Sequence, residues 1–407
     1  MGAPSPVSFT RKVVCEFIRT QPFLLRKSPC YNIFIMFSFF SHTKEGKQSI
    51  ILDVQSGLVR GALIIRSTDG SAQILSVVTK SIPSKTHIVN GTHLTKRVLK
   101  LVSEVVELLT KDAPRVSEIH YILSSPWISS QLKTIKVDYK KETEINSRML
   151  AELIKGELRQ DMGEEAQAVE QKIFEIKLNG YSTSSFESRR AHMLELSLAT
   201  SFASKSFLSK LHSVVQDTLD IKSVTHNSAL LMQYAALREM LDDKHEYIYL
   251  HVHNELTDVV IVKNNLCKHL ASFPFGISAL QRKVASATGQ SIESSDSLLS
   301  LYQGNKLSEA EKSSVQKAIE PLLQEWGDSC IKSFVAKFDS TSIPRTVYLA
   351  AHSHFDLFKE ALLFRPDLSL SIVPYDSISD DSEITFQKSS SQSTMMRMYT
   401  LALGTML

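Results

Sequence analysis

Apolar and polar residues alternate along this chain with a period that changes at definite places. From Ser49 to Lys80 the period is two: the pattern predicts a strand at 50–54, a polar turn at Gln55, Ser56 and Gly57, a strand at 59–66, an Asp69-Gly70 turn and a strand at 73–79. Asp-Gly between alternating runs signals a hairpin, because both residues tolerate the positive φ that a tight turn needs. The period then lengthens to that of an amphipathic helix at 94–110. The same order returns from Glu246: a strand at 247–252, a turn at 253–256, a strand at 258–263, an Asn264-Asn265 turn, a strand at 267–273 and a helix at 277–288. Two equal βββα units predict two similar subdomains facing one another.

The intervening chain follows the same logic. Residues 119–124 read as a buried strand broken by Ser125-Pro126-Trp127, 133–138 as a strand, 144–160 as a charged helix, 193–200 as a strand, 205–219 as a helix and 223–226 as a strand. In the second half, 309–338 reads as one or two long helices, 347–351 as a strand leading into His352, Ser353 and His354, and 355–364 as a helix. The serine-rich stretch 380–393 reads as a loop before a last helix at 394–407. Strands alternating with helices predict an α/β fold with mixed sheets.

Composition narrows the function classes. With 407 residues the chain exceeds what one core supports, and 43% hydrophobic with 22% charged residues is ordinary for a globular protein. A net charge of +3, with no stripe of Lys and Arg interleaved with aromatics after residue 50, argues against nucleic acid as a partner. Cys15, Cys30, Cys267 and Cys330 form no CxxC pair and no cysteine–histidine spacing of a zinc site, which predicts a reduced, cytoplasmic setting. At the N-terminus, Arg11, Lys12, Arg19, Arg26 and Lys27 oppose a lone Glu16 and precede an apolar run at 31–40. That run is aromatic, lacks an A-x-A cleavage pattern and is half of the roughly 20 residues a bilayer span requires. Two readings stand: residues 1–36 are a disordered or non-native extension before a folded protein that starts near Met36, or they form a peripheral membrane anchor.

The order of these elements resembles the actin-like ATPases of the FtsA and PilM type. In that superfamily each half opens with a β-hairpin whose turn cradles phosphate; here the turns are Asp53-Val54-Gln55-Ser56-Gly57 and residues 251–258. Ile122-Leu123-Ser124-Ser125-Pro126-Trp127 sits where those proteins enter their inserted subdomain, and Asn227-Ser228-Ala229 is similar to the small-residue entry into a core helix. Phe273-Pro274-Phe275-Gly276 is similar to the segment that closes the second hairpin unit, and 347–353 falls at the adenosine turn. The resemblance implies a duplicated actin-like (ribonuclease-H-like) fold with two βββαβα subdomains and a small inserted α+β subdomain of SHS2 type. It implies boundaries at 37–118 for the start of the first half, 119–200 for the insertion, 201–245 for the return, and 246–407 for the second half.

The departures from the family pattern bear on activity. A phosphate cradle needs glycines, so that backbone N–H groups approach the oxygens, and a carboxylate for hydrated magnesium. Asp53, Gln55, Ser56 and Gly57 meet that need in the first turn, and Asp53 is the candidate magnesium ligand, with an ordinary turn or cap role as the alternative. In the second turn His251, Val252, His253, Asn254, Glu255 and Leu256 stand before Thr257 and Asp258 where the family has an acidic residue and glycines. At the adenosine turn, Ala350, Ala351, His352 and Ser353 replace glycines. The implied nucleotide contacts are therefore vestigial: Asp53, Gln55, Ser56, Gly57, Thr257, Asp258, Ala351 and His352. His251, His253 and Glu255 share one strand face and read either as a metal site or as an exposed polar edge, and the two tryptophans read as subdomain contacts. No GxSxG, HExxH or P-loop pattern is present, so no catalytic residue is assigned.

What the resemblance implies about function is a cytoplasmic scaffold of a membrane-associated machine, type IV pilus assembly or cell division. It would bind cytoplasmic tails of membrane partners through the inserted subdomain by strand addition, with self-association as a further mode. Its ATP and magnesium binding would be weak or lost. The alternative is an active ATPase or kinase, which requires a catalytic carboxylate and intact glycine cradles.

Overall fold

The computed structural model describes residues 35–36, 47–66, 72–82, 91–111, 116, 118–161, 163–241, 245–336, 338–339, 342–364, 369–378, 384–386 and 394–405. Residues 1–34 and the Asp69-Gly70 turn lie outside the described residues. The chain divides into a larger unit (35–133, 162–174 and 198–407) and a smaller one that includes 134–161 and 175–197.

After β1 (Ile35–Met36), the larger unit builds its first sheet. β2 (Lys47–Val54) and β3 (Leu58–Arg66) pair antiparallel, β3 pairs with β4 (Ala72–Ser81), and helix α1 (Gly91–Thr110) leads to β5 (Glu118–Leu123), which is parallel to β2. α1 forms because its apolar residues fall at helical spacing, and Val98, Leu101, Val102, Val105, Val106 and Leu109 are buried. Each such side chain contributes roughly 1.5–3 kcal/mol on full burial. Gly61 on β3 lets the helix approach: a Cβ there would lie 2.5 Å from Leu109 and 2.6 Å from Val105.

The chain then makes β6 (Ile128–Ile145), α2 (Ser147–Asp161), β7 (Ala166–Leu178), β8 (Tyr181–Ser182) and β9 (Arg189–Ser204), whose strands are ordered β1-β7-β9-β6 with β8 on β7. Within the smaller unit, Glu187 accepts from the backbone N–H and hydroxyl of Ser147 at the start of α2. Asn179, at φ 52°, turns β7 into β8, and its Oδ1 accepts from the N–H groups of His192 and Met193.

α3 (Lys205–Gln216) and β10 (Ser223–Ser228) return the chain to the first sheet, where β10 lies parallel to β5, and α4 (Ala229–Met240) follows. The second sheet repeats the first. β11 (Tyr247–Val252), β12 (Thr257–Lys263) and β13 (Leu266–Phe273) form the antiparallel trio. Three helices, α5 (Ile277–Thr288), α6 (Ile292–Gln303) and α7 (Glu309–Val335), come next. β14 (Thr346–Ala351) lies parallel to β11, α8 (Phe355–Leu363) follows, and β15 (Ser371–Pro374) lies parallel to β14. The orders β4-β3-β2-β5-β10 and β13-β12-β11-β14-β15 correspond strand for strand, so the duplication is real.

Four details refine or correct the sequence reading. The long apolar pattern at 309–335 is one helix, which carries Pro321 inside it and opens on a Ser308–Glu311 capping box. α6 went unassigned. Residues 384–386, read as loop, are strand β16, parallel to β4 at the edge of the first sheet, and α9 (Thr394–Thr405) follows. The tryptophans lie in the cores of the halves: Trp127 stacks on Phe207 with centroids 4.5 Å apart, and Trp326, fully buried, belongs to the second core.

α4 and α9 pack against each other, and α4 is buried from Ala229 to Leu237. Arg66 donates to the carbonyls of Leu403 and Thr400 near the C-terminal end of α9, and the Leu403 carbonyl is one of the last four that the helix cannot satisfy internally.

Candidate functional site

The turns between β2 and β3 and between β11 and β12 both lie at the C-terminal ends of the parallel strand pairs β2/β5 and β11/β14. In the first turn the Gln55 N–H donates to Leu58 O, which closes the hairpin. Asp53 is fully buried on β2, and its Oδ2 accepts from Gln55 Nε2 at 2.9 Å and from Arg60 Nη1 at 3.1 Å. The antiparallel register sets Arg60 opposite Asp53, so the pair is a direct product of the hairpin. Ser56 is buried in the same turn.

In the second turn His253 N–H donates to Leu256 O. His253 and Asp258 are buried, with His253 Nε2 2.9 Å from Asp258 Oδ2, and the Ser272 hydroxyl donates to Asp258 Oδ1. Thr257 faces the second core: its hydroxyl donates to Phe275 O at 2.7 Å and accepts from Trp326 Nε1 at 2.9 Å. The carbonyls of His253 and Asn254 accept from the N–H groups of Ile277 and Ser278, the first residues of α5. That helix N-terminus is the kind of place where a phosphate would be received; here the turn fills it. Gly276 permits the approach, since a Cβ on it would fall 2.3 Å from His253 O.

The two turns touch. His253 Nδ1 lies 3.3 Å from Gln55 Oε1, so one line of contacts runs from half-buried Arg60 through buried Asp53, Gln55, His253 and Asp258 to exposed Ser272. Asn254 lies over Gly57: a Cβ on Gly57 would fall 2.0 Å from Asn254 Nδ2 and 2.3 Å from its Cγ. Of the predicted contacts, Asp53, Gln55, Gly57 and Asp258 are brought together, by one another and by Arg60, His253 and Asn254. At two points a phosphate does not fit the residues as placed: the carbonyls of His253 and Asn254 already take the first N–H groups of α5, and Asn254 covers the face of Gly57.

A second branch runs beneath. The amide nitrogen of Gln233 on α4 donates to His251 Nδ1 at 3.0 Å and to the Tyr399 hydroxyl at 2.9 Å. That leaves His251 Nδ1 unprotonated, consistent with burial, and then with the charges of His253 and Arg60, holding His251 well below its ordinary 6.5. The His251 and His253 rings lie 3.7 Å apart. Burial pushes the Asp53 carboxyl up, and Arg60, Gln55 and His253 oppose that in turn. Burial likewise raises the Tyr399 hydroxyl.

The face expected to carry His251, His253 and Glu255 as an exposed edge is not exposed: both histidines are buried, and Glu255 pairs with Arg282 through both carboxylate oxygens at 2.9 and 3.0 Å. Among the described residues no cluster of three or more His, Cys, Asp or Glu is arranged to hold a metal ion. At the third turn β14 ends at Ala351, His352 is exposed, and His354 swings away at φ 56° instead of continuing the extended face. His354 binds Asp296 through Nε2 and Gln303 through Nδ1, each at 2.8 Å, and that bond draws the Asp296 carboxyl below its ordinary value.

Sequence reasoning missed Arg60, Gln233 and Tyr399. Arg60 was recoverable from the hairpin register; the others come from elements whose approach no local pattern announces.

Comparison with known proteins places the fold. A solved PilM-PilN type IV pilus biogenesis complex is similar, with a TM-score of 0.59 at 12% identity, covering 88% of this chain and 97% of that one. The fold is the actin-like ATPase fold. At 12% identity the likeness carries the fold alone. Weaker likenesses that add nothing to the assignment include the ethanolamine utilization protein EutJ from Carboxydothermus hydrogenoformans (TM-score 0.40, 10% identity, 81% of this chain and 85% of that one). Another is Lmo2764, a putative N-acetylmannosamine kinase from Listeria monocytogenes (TM-score 0.40, 9% identity, 88% and 98%). No family model and no curated protein sequence matches the chain.

Proposed function

We propose that this chain is a PilM-like scaffold in which the actin-like fold serves as a rigid platform for a partner protein and the nucleotide site is vestigial. The observation that carries the reading is the contact between the two hairpin turns: Asn254 covers Gly57, and the second turn's own carbonyls take the first N–H groups of α5. The partner is the cytoplasmic tail of a membrane protein of a pilus or division machine, in keeping with a structural neighbour that is itself a complex with a partner protein. In this reading attachment to the inner membrane runs through partners; among the described residues no helix is long and apolar enough to cross a membrane. The tail is received by the inserted strands through strand addition.

Isothermal titration of the full chain with ATP and magnesium tests the vestigial site, with Asp53→Ala as control. No saturable heat at millimolar ATP is expected. Saturable binding that Asp53→Ala abolishes would instead make this a nucleotide-switched scaffold. Capture of candidate tails, compared between the full chain and a variant lacking residues 128–190, tests the platform separately; retained capture in the deletion would remove the inserted strands from the proposal.

A further inference from the structure

A second buried charged cluster lies outside the paired turns. Glu170 and Lys172 on β7 are 8% and 3% exposed, and Lys172 Nζ stands 2.6 Å from Glu170 Oε1. The other carboxylate oxygen, Oε2, accepts from the backbone N–H of Ser228 at 2.8 Å and from the Ser201 hydroxyl at 3.4 Å. Ser228 is the N-cap of α4, its hydroxyl accepting from the N–H of Leu231. The hydroxyl of Ser130 joins Ser228 Oγ at 2.8 Å to Ser201 Oγ at 2.9 Å.

Each part has a physical reason. A helix leaves its first four N–H groups without internal partners, and its N-terminus carries partial positive charge. A recess made of such an N–H, hydroxyls and a lysine is chemically a receptor for a carboxylate or phosphate. A buried carboxylate is tolerated only when it is paired and hydrogen-bonded, and a buried lysine likewise. Burial lowers the Lys172 ammonium's pKa while Glu170 raises it again.

We infer that Glu170 is an internal anion that plugs a carboxylate-binding recess formed by Lys172, Ser201, Ser130 and the N-terminus of α4, and so positions β7 against the first half. The chain supplies from β7 the group that a free ligand would otherwise bring. The inference stands apart from the nucleotide reading, since none of these residues belongs to either hairpin turn.

Chemical rescue tests it. Glu170→Ala is expected to melt lower than the full wild-type chain, and acetate is expected to restore it saturably by roughly 2 °C or more relative to equal chloride, a shift of the size that one lost contact produces. Wild type should show no such gain, and Glu170→Ala/Lys172→Met should lose it. A folded Glu170→Ala that gains no more from acetate than wild type overturns the inference. If Glu170→Ala does not fold, Glu170→Gln is read instead: it keeps an acceptor for Ser228 N–H but removes the carboxylate charge that faces Lys172. Adding Lys172→Met should then recover part of the lost melting temperature, and a double variant no more stable than Glu170→Gln would overturn the proposal.

Discussion

The side chain of Asn254 rests against the Cα of Gly57, which joins the two hairpin turns across the centre of the larger unit. Gly57→Ala places a methyl group inside Asn254, so overpacking should cost about 1–3 kcal/mol in urea denaturation. Asn254→Ala should recover most of that loss in the double variant. Equal losses in the single and double variants would show that the contact is not what limits residue 57.

Arg60 and Asp53 form a pair with side chains 13% and 0% exposed. Arg60→Met leaves the carboxylate buried beside Gln55 alone, and a loss of about 3–5 kcal/mol is expected for breaking one side of such a pair. Arg60→Met/Asp53→Asn should be the more stable of the two variants, because it removes the stranded charge. Circular-dichroism melts of the three proteins decide the order.

Thr257 distinguishes a core role from a ligand role. Thr257→Val strips the acceptor from Trp326 Nε1 and the donor from Phe275 O, both inside the second core. The expected cost is about 1–3 kcal/mol of stability. Tryptophan emission should shift as well, since Trp326 loses its hydrogen bond. An unchanged melt would mean that the hydroxyl is not used as drawn.

Acid should weaken the fold through its neutral histidines. His251 is held well below 6.5 by burial, and burial lowers His226 from 6.5 to about 4. Their folded-state values are depressed, so near pH 7 both states are neutral, and as pH falls through 6.5 the unfolded chain takes up protons that the folded chain refuses. Stability is therefore lost on acidification between about pH 6.5 and 4, at up to about 1.4 kcal/mol per pH unit for each histidine. His251→Gln should flatten that slope in denaturation series between pH 7 and 5. An unaltered slope would place the proton uptake elsewhere.

The strands were legible because their information is local. Alternation marked β2, β3, β11 and β12, and helical spacing marked α1 and α5, each within a residue or three of the observed ends. Elements without their own pattern escaped. α6 begins Ile292-Glu-Ser-Ser-Asp-Ser, and β16 is three residues inside a polar stretch that becomes strand only because β4 offers it an edge. At the site the sequence marked which turns matter but not how they are filled. It read missing glycines as side chains standing in a phosphate's place. In the structure Asn254 covers Gly57, while Thr257 turns into the core and His253 reaches across to Gln55. Such contacts join residues some two hundred positions apart, which no window along the chain contains.

Arg66 grips the carbonyl of Leu403, 337 positions further on, and β16 closes the edge of the sheet to which β2 and β3 belong. The first sheet thus waits for almost the whole chain to be synthesised before its edge strand and covering helix arrive. A ribosome releasing this protein would hold an unfinished first half, with β4's edge and the faces awaiting α9 bare, while the second half emerges. Capture by a chaperone during translation would fall on that half, and arrest before residue 384 should leave it open to protease.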